Sequence, residues 1–249
     1  MDAWNTVEIT NEGVIDAGAG NAILVAGAAD TAVYNSGRIV GHLSLGDGSV
    51  RLTLSETSEV KGDIDLGRAG EKSVALYAGT VLTGALVSGG STNTLMLLGA
   101  PGSGARSTRL NRIDGFDRAG VKGGRWAMED EARIGAVEIE NGMVHVNGVL
   151  AGTSVSLTGG VLGGSGTLAV DEVRNAGGTV APGDSFGVLF IGAAGAGGGP
   201  AAGLGGDFGG DSGGDEDFRV GWGGSPAGSP RGDYVQEAGG VLGIEIRPS

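Results

Sequence analysis

Three series of short apolar phrases recur through the first hundred residues with one common step. NEGVIDAG at 11–18 returns as NSGRIVGH at 35–42. GHLSLG at 41–46 returns as GDIDLG at 62–67 and, less closely, as GALVSG at 84–89. VRLTL at 50–54, VALY at 74–77 and TLMLL at 94–98 make the third series. Leu54, Leu76 and Leu97 are thus spaced by about 22 residues, and Ile39, Val60 and Leu82 keep nearly the same step. A fixed period in this range marks a stacked repeat. No phrase is long enough for a helix, which needs ten or more residues of 3.6-residue period. The chain is therefore predicted to form coils of about 22 residues, each holding three short strands that become stable only by stacking.

Within each phrase the apolar residues alternate, as in Leu43-Ser44-Leu45 and Ile64-Asp65-Leu66, so one face points inward and one meets water. Glycine and Asx residues between the phrases supply the corners. Asn11 and Asn35 fall one period apart at a corner; they form an asparagine ladder, or they are two unrelated turn residues. The glycine count of 55 is roughly three times the usual share, without collagen's three-residue period. Aromatics are only 4% against 40% apolar residues overall. That suits a narrow aliphatic core better than a globular one.

The organisation expected along the chain is as follows. Residues 1–99 form coils. Residues 100–135 are less regular and open with an outward loop, APGSGARSTRLNR, carrying Arg106, Arg109 and Arg112. Trp126 is expected to stack on the core. From 136 the coils return, with Val137, Ile139, Met143, Val144, Val146, Val149, Val155 and Leu157 as core candidates and His145 pointing outward. Residues 192–231 are nearly all Gly, Ala, Asp, Ser and Pro and read as a flexible insertion, with Phe208, Phe218, Val220 and Trp222 as apolar anchors. Residues 136–191 and 232–249 are then one C-terminal set of coils, whose core is assigned to Val161, Leu168, Val180, Leu189, Ile191 and Ile244.

Three phrases in that set occur in order: GGVLGGSGTL at 159–168, GGTVAPGDSFGVL at 177–189 and GDYVQEAGGVLGIEI at 232–246. Together they resemble the C-terminal part of a pertactin-like bacterial autotransporter passenger, exported by type V secretion. The resemblance covers roughly the last third of the chain, less the insertion. It implies a right-handed, three-stranded parallel β-helix of roughly nine coils, about 45 Å long. It further implies a non-enzymatic stalk or adhesin at the cell surface or outer membrane, or secreted after cleavage, whose last coils act as an autochaperone. The implied partners are a C-terminal outer-membrane β-barrel and a host-cell or matrix receptor, or a second copy of the chain. On this reading the chain is a fragment: MDAWNTVEI is no signal peptide, and IEIRPS ends without a barrel.

The net charge of −13 disfavours nucleic acid and anionic membrane as partners. The absence of cysteine removes disulfides, thiolate metal sites and a cysteine nucleophile. No apolar run is long enough to span a bilayer as a helix. Several short strings tempt. Gly210-Asp211-Ser212-Gly213-Gly214 spells a serine-protease loop, but it is generated by a GGDF-GGDS-GGDE run, and only His42 and His145 are offered as bases. Gly183-Asp184-Ser185 resembles an esterase motif out of context. Asp207, Asp211, Asp215, Glu216 and Asp217 lack the spacing of a calcium roll. Arg231-Gly232-Asp233 is an integrin-type tripeptide. The alternative function is a hydrolase on the same fold, with Glu56, Asp63, Asp65 and Arg68 gathered on one outward face. No catalytic residue, cofactor or metal is assigned.

Overall fold

The structure, a computed structural model, describes residues 6–99, 107–182, 189–192, 218–220, 233–237 and 239–242. Among the described residues it is all-β, without a helix, and its strands stack in parallel into a β-solenoid. Three faces wind about one axis. The first face begins with Thr6–Asn11, Asp30–Asn35, Val50–Leu54, Glu71–Tyr77 and Thr92–Leu98, each in parallel register with the next. It continues through the middle of two long strands, Ile113–Met128 and Glu131–Val146, and then through Ser154–Leu157, Glu172–Asn175 and Asp233–Gln236. The two long strands run around the corners with register shifts, so the three-strand division blurs there.

The sequence series are the ladder columns. Leu54 pairs with Leu76 and Leu76 with Leu97; Ile39, Val60 and Leu82 align, and so do Leu43, Ile64 and Leu86. Their side chains fill a continuous aliphatic core. Asn11 and Asn35 do form a ladder: Asn11 Nδ2 donates to Asn35 Oδ1 at 2.7 Å, and Asn35 Nδ2 donates onward to Ser58 Oγ. These amides satisfy each other and nearby carbonyls inside a corner that water does not enter.

The period changes along the axis. On the first face, register steps of 19 to 24 residues in the first half give way to 18 from Val121 to Ile139, Leu157 and Asn175. The second face keeps the same 18-residue step from Met143 to Val161 and Thr179. This shorter coil was not anticipated from the sequence. It moves three expected core residues outward: Val149 is exposed, and Val161 and Met143 are only half-buried. Leu150 and Leu162 take the inner positions, and Leu168, Val180 and Leu189 are buried as expected. Ile191 packs partly buried against the core, while Ile244 lies outside the described residues. The segment expected as an outward loop ends sooner than predicted, because Thr108–Leu110 is already a rung with Thr108 and Leu110 inside.

Of the segment expected as an insertion from 192 to 231, Gly192 belongs to the rung Phe190–Gly192 on the third face, and the chain is next in the wall at Asp233–Gln236 on the first. The segment also returns a strand. Phe218–Val220 pairs antiparallel with Asp233–Gln236, the one antiparallel pairing among the described residues. This strand covers that edge of the Asp233–Gln236 rung.

Glycine abundance has a concrete cause at the corner between the second and third faces. Gly20, Gly41, Gly62 and Gly84 stack there. A Cβ on Gly41 would lie 2.6 Å from the Gly20 carbonyl oxygen, one on Gly62 2.4 Å from that of Gly41, and one on Gly84 2.2 Å from that of Gly62. Gly62 also has φ +144°. Gly62→Ala is therefore expected to lower stability by about 1–3 kcal/mol. Gly13→Ala, at a site open to solvent, should change it by less than about 1 kcal/mol. Urea midpoints of the two variants check this; equal midpoints would refute the packing argument.

Candidate functional site

The acids that a hydrolase reading groups together are not gathered. Glu56 sits in the turn between the first and second faces, Asp63 at the next corner, Asp65 on the third face and Arg68 at the corner after it. Asp63 Oδ1 accepts the Ala85 N–H at 2.8 Å, and Asp65 Oδ1 accepts the Gly67 N–H at 2.9 Å. Both carboxylates brace corner amides. His42 Nδ1 accepts the Asp63 N–H at 3.1 Å, so that nitrogen holds backbone and takes no proton from a nucleophile.

The arginine group also divides. Arg112 reaches Asp114 at 2.8 Å, and Arg106 lies outside the described residues. Arg109 stands outward on the second face, above Ala127 and His145 in one column. Trp126 is fully buried, its Nε1 donating to the Gly123 carbonyl at 2.7 Å, so it belongs to the core as expected. Around Ala127 the outward side chains form a grid over three rungs, enclosing a depression of about 340 Å³. Arg125 and Glu129 flank Ala127 along its own strand; Arg109–Glu129 (3.8 Å) and Asn147–Glu129 (3.3 Å) tie one side. The sequence reading did not single out Arg125, because only register brings it beside Arg109.

At the C-terminal end a polar knot joins the rungs on either side of the insertion. Asn175 Nδ2 lies within donating distance of Tyr234 Oη (3.4 Å), Gln236 Oε1 (3.3 Å) and the Val241 carbonyl (3.2 Å). Its Oδ1 accepts the Gly178 N–H at 3.0 Å. Tyr234 Oη donates to Gln236 Oε1. Burial raises the Tyr234 phenol above its ordinary value, and the Asn175 bond opposes that. Gly240 is required beside the knot, since a Cβ there would lie 2.6 Å from the Asn175 backbone carbonyl oxygen. Arg174 and Glu237 close the outer side as an ion pair. Asp233, the last residue of the integrin-type tripeptide, opens a wall strand in register with Glu172. Arg231 and Gly232, the GDSGG string, Gly183-Asp184-Ser185 and the Asp207–Asp217 acids lie outside the described residues. Among the described residues no cluster of three or more metal-ligating side chains is assembled, and no helix is long and apolar enough to cross a membrane.

One ionisable group is buried in the wide coils. Lys72 is 1% exposed, in phase with Val74 and Leu76, and its Nζ donates to the carbonyls of Gly48 (2.6 Å) and Gly46 (3.2 Å). Beside it Ser88 Oγ donates to Asn93 Oδ1 at 2.6 Å, and Asn93 Nδ2 donates to Asp117 at 3.1 Å. Desolvation lowers the Lys72 pKa, against smaller opposing effects of Asp47 and Asp65. The folded chain thus releases this proton at lower pH than the unfolded chain, which holds it to about pH 10.4. Stability contributed by this group should rise with pH through that interval and be lowest below it. Lys72→Met is expected to flatten the rise; urea midpoints of both proteins from neutral to alkaline pH test it, and parallel profiles would refute it.

No protein-family model matches the sequence, and no curated protein and no solved structure matches it either.

Proposed function

We propose that the chain is a non-enzymatic passenger segment of the autotransporter type. It would be a rigid stalk or adhesin at the surface of a bacterium, whose C-terminal coils template folding after passage through the outer membrane. The observation that carries this reading is the arrangement of its three characteristic phrases. GGVL at 159–162, GGTV at 177–180 and GGVL at 239–242 stack as successive rungs of the second face: Val161 pairs with Thr179 and Thr179 with Val241, while Leu162, Val180 and Leu242 align beside them. The phrases that give the resemblance are thus the residues that build the last coils, and Asn175 ties those coils together across the insertion. A terminal set of coils with its own hydrogen-bonded lock is a ready template for the coils stacked on it, as expected for a nearest-neighbour array. The outward acids that brace corners are consistent with a wall built for rigidity. On this reading the partners are an outer-membrane β-barrel and a surface receptor or a second copy of the chain.

The test is export. The chain is placed between a secretion signal and an outer-membrane translocator barrel in a two-membrane bacterium, and intact cells are treated with protease. The wild-type segment is expected on the outside with a resistant core. Leu189→Asp places a charge where Leu189 is 8% exposed, at a cost on the order of 3 kcal/mol or more, and should abolish the resistant core. His42→Ala, at a half-buried position on the outer wall, should leave it intact. Wild-type chain retained inside the cell would sink the proposal.

A further inference from the structure

We propose that the depression over Ala127 is a binding site for a carboxylated sugar unit, a uronic acid or a sugar acid of similar size. Ala127 faces outward by parity, because Trp126 and Met128 on either side are in the core. Yet Ala127 is only 5% exposed, since the longer side chains around it stand over its methyl group. Its small size at the centre of long neighbours makes the hollow, which no side chain of the described wall fills.

The walls differ from side to side, and the difference selects a ligand. At one end stands Arg125, exposed and without an ion-pair partner among the described residues, a cation suited to a bidentate carboxylate. At the other end stand Glu129 and Asn147, hydrogen-bonded to each other at 3.3 Å and able to take sugar hydroxyls. Met143 lines one side with apolar surface of the kind that packs on a sugar ring face. Four residues of strand separate Arg125 from Glu129, about 13 Å between backbones at 3.3 Å per residue. After the side chains reach inward, that span leaves room for one pyranose ring carrying its carboxylate at one end. A bare anion would meet Arg125, with Arg109 already held by Glu129, and would leave Glu129 as a repulsive neighbour. A neutral sugar would leave Arg125 unused. The overall charge of −13 opposes anions at long range, but at physiological salt that field is screened beyond about 8 Å, while contacts inside the hollow are not.

The assignment does not rest on export or surface display, so the purified chain tests it separately. Calorimetric titration at physiological salt compares sodium glucuronate, glucose and acetate. Saturable glucuronate binding is expected, at least tenfold tighter than acetate or glucose. Arg125→Met and Ala127→Leu should each weaken it at least tenfold, and Arg133→Met, whose arginine pairs with Glu131 at 2.9 Å, should not. Arg125 is exposed, so its variant keeps the core even where Ala127→Leu fails to fold; thermal melts verify this. No saturable binding, equal affinity for acetate or glucose, or undiminished binding by Arg125→Met would each overturn the proposal.

Discussion

The structure depends on one constraint: along the strands, each coil's backbone N–H and C=O groups find their partners in the coils above and below. A parallel ladder of this kind fixes register residue by residue, and register in turn places like side chains in columns. The core is therefore a set of stacked columns more than a globule. The innermost column of the first face reads Asn11, Asn35, Leu54, Leu76, Leu97, Val121, Ile139, Leu157, Asn175 and Gln236. It is aliphatic through its length and amide-bearing at both ends. In the middle, transfer of apolar surface from water suffices. Toward either end of this column, buried amides that bond along the axis and to corner carbonyls hold the rungs in register.

Coil length decides what the interior can contain. The wide coils have room at the corner between the third and first faces for Lys72, Ser88 and Asn93, all buried and all hydrogen-bonded. In the 18-residue coils that corner shrinks to a few residues, such as Ala151 to Thr153, and its interior is filled by aliphatic side chains alone. The polar inlay and the longer period are thus two views of the same geometry.

The sequence made the first half legible because its columns are pure. Leu52 and Leu54 alternate with Arg51, Thr53 and Ser55, and Ile64 and Leu66 flank Asp65, so these phrases declare parity, and the recurrence of Leu54 at Leu76 and Leu97 declares the period. The second half is written in adjacent apolar pairs, Val149-Leu150 and Val161-Leu162, and alternation cannot say which member of such a pair points inward. Only pairing resolves it, and pairing placed the leucines inside. Lys72 was illegible for the opposite reason: its charge marks it for solvent, while its phase with Val74 puts it within. The hollow over Ala127 was hidden because Arg109, Arg125 and Asn147 meet only across three rungs. The Asn175 knot was hidden because about sixty residues separate it from Tyr234 and Gln236.

The insertion has a consequence for how such a chain can change over generations. Gly192 and Asp233 belong to neighbouring rungs, so whatever joins them only has to close a short gap. Loop closure depends only weakly on length, each doubling adding about 0.6 kcal/mol of closure entropy. Register on both sides is set by Leu168 and Val173, not by the connector. That corner is therefore a tolerant port: sequence there can drift, shorten or acquire a whole new module while the tube that carries it is inherited unaltered.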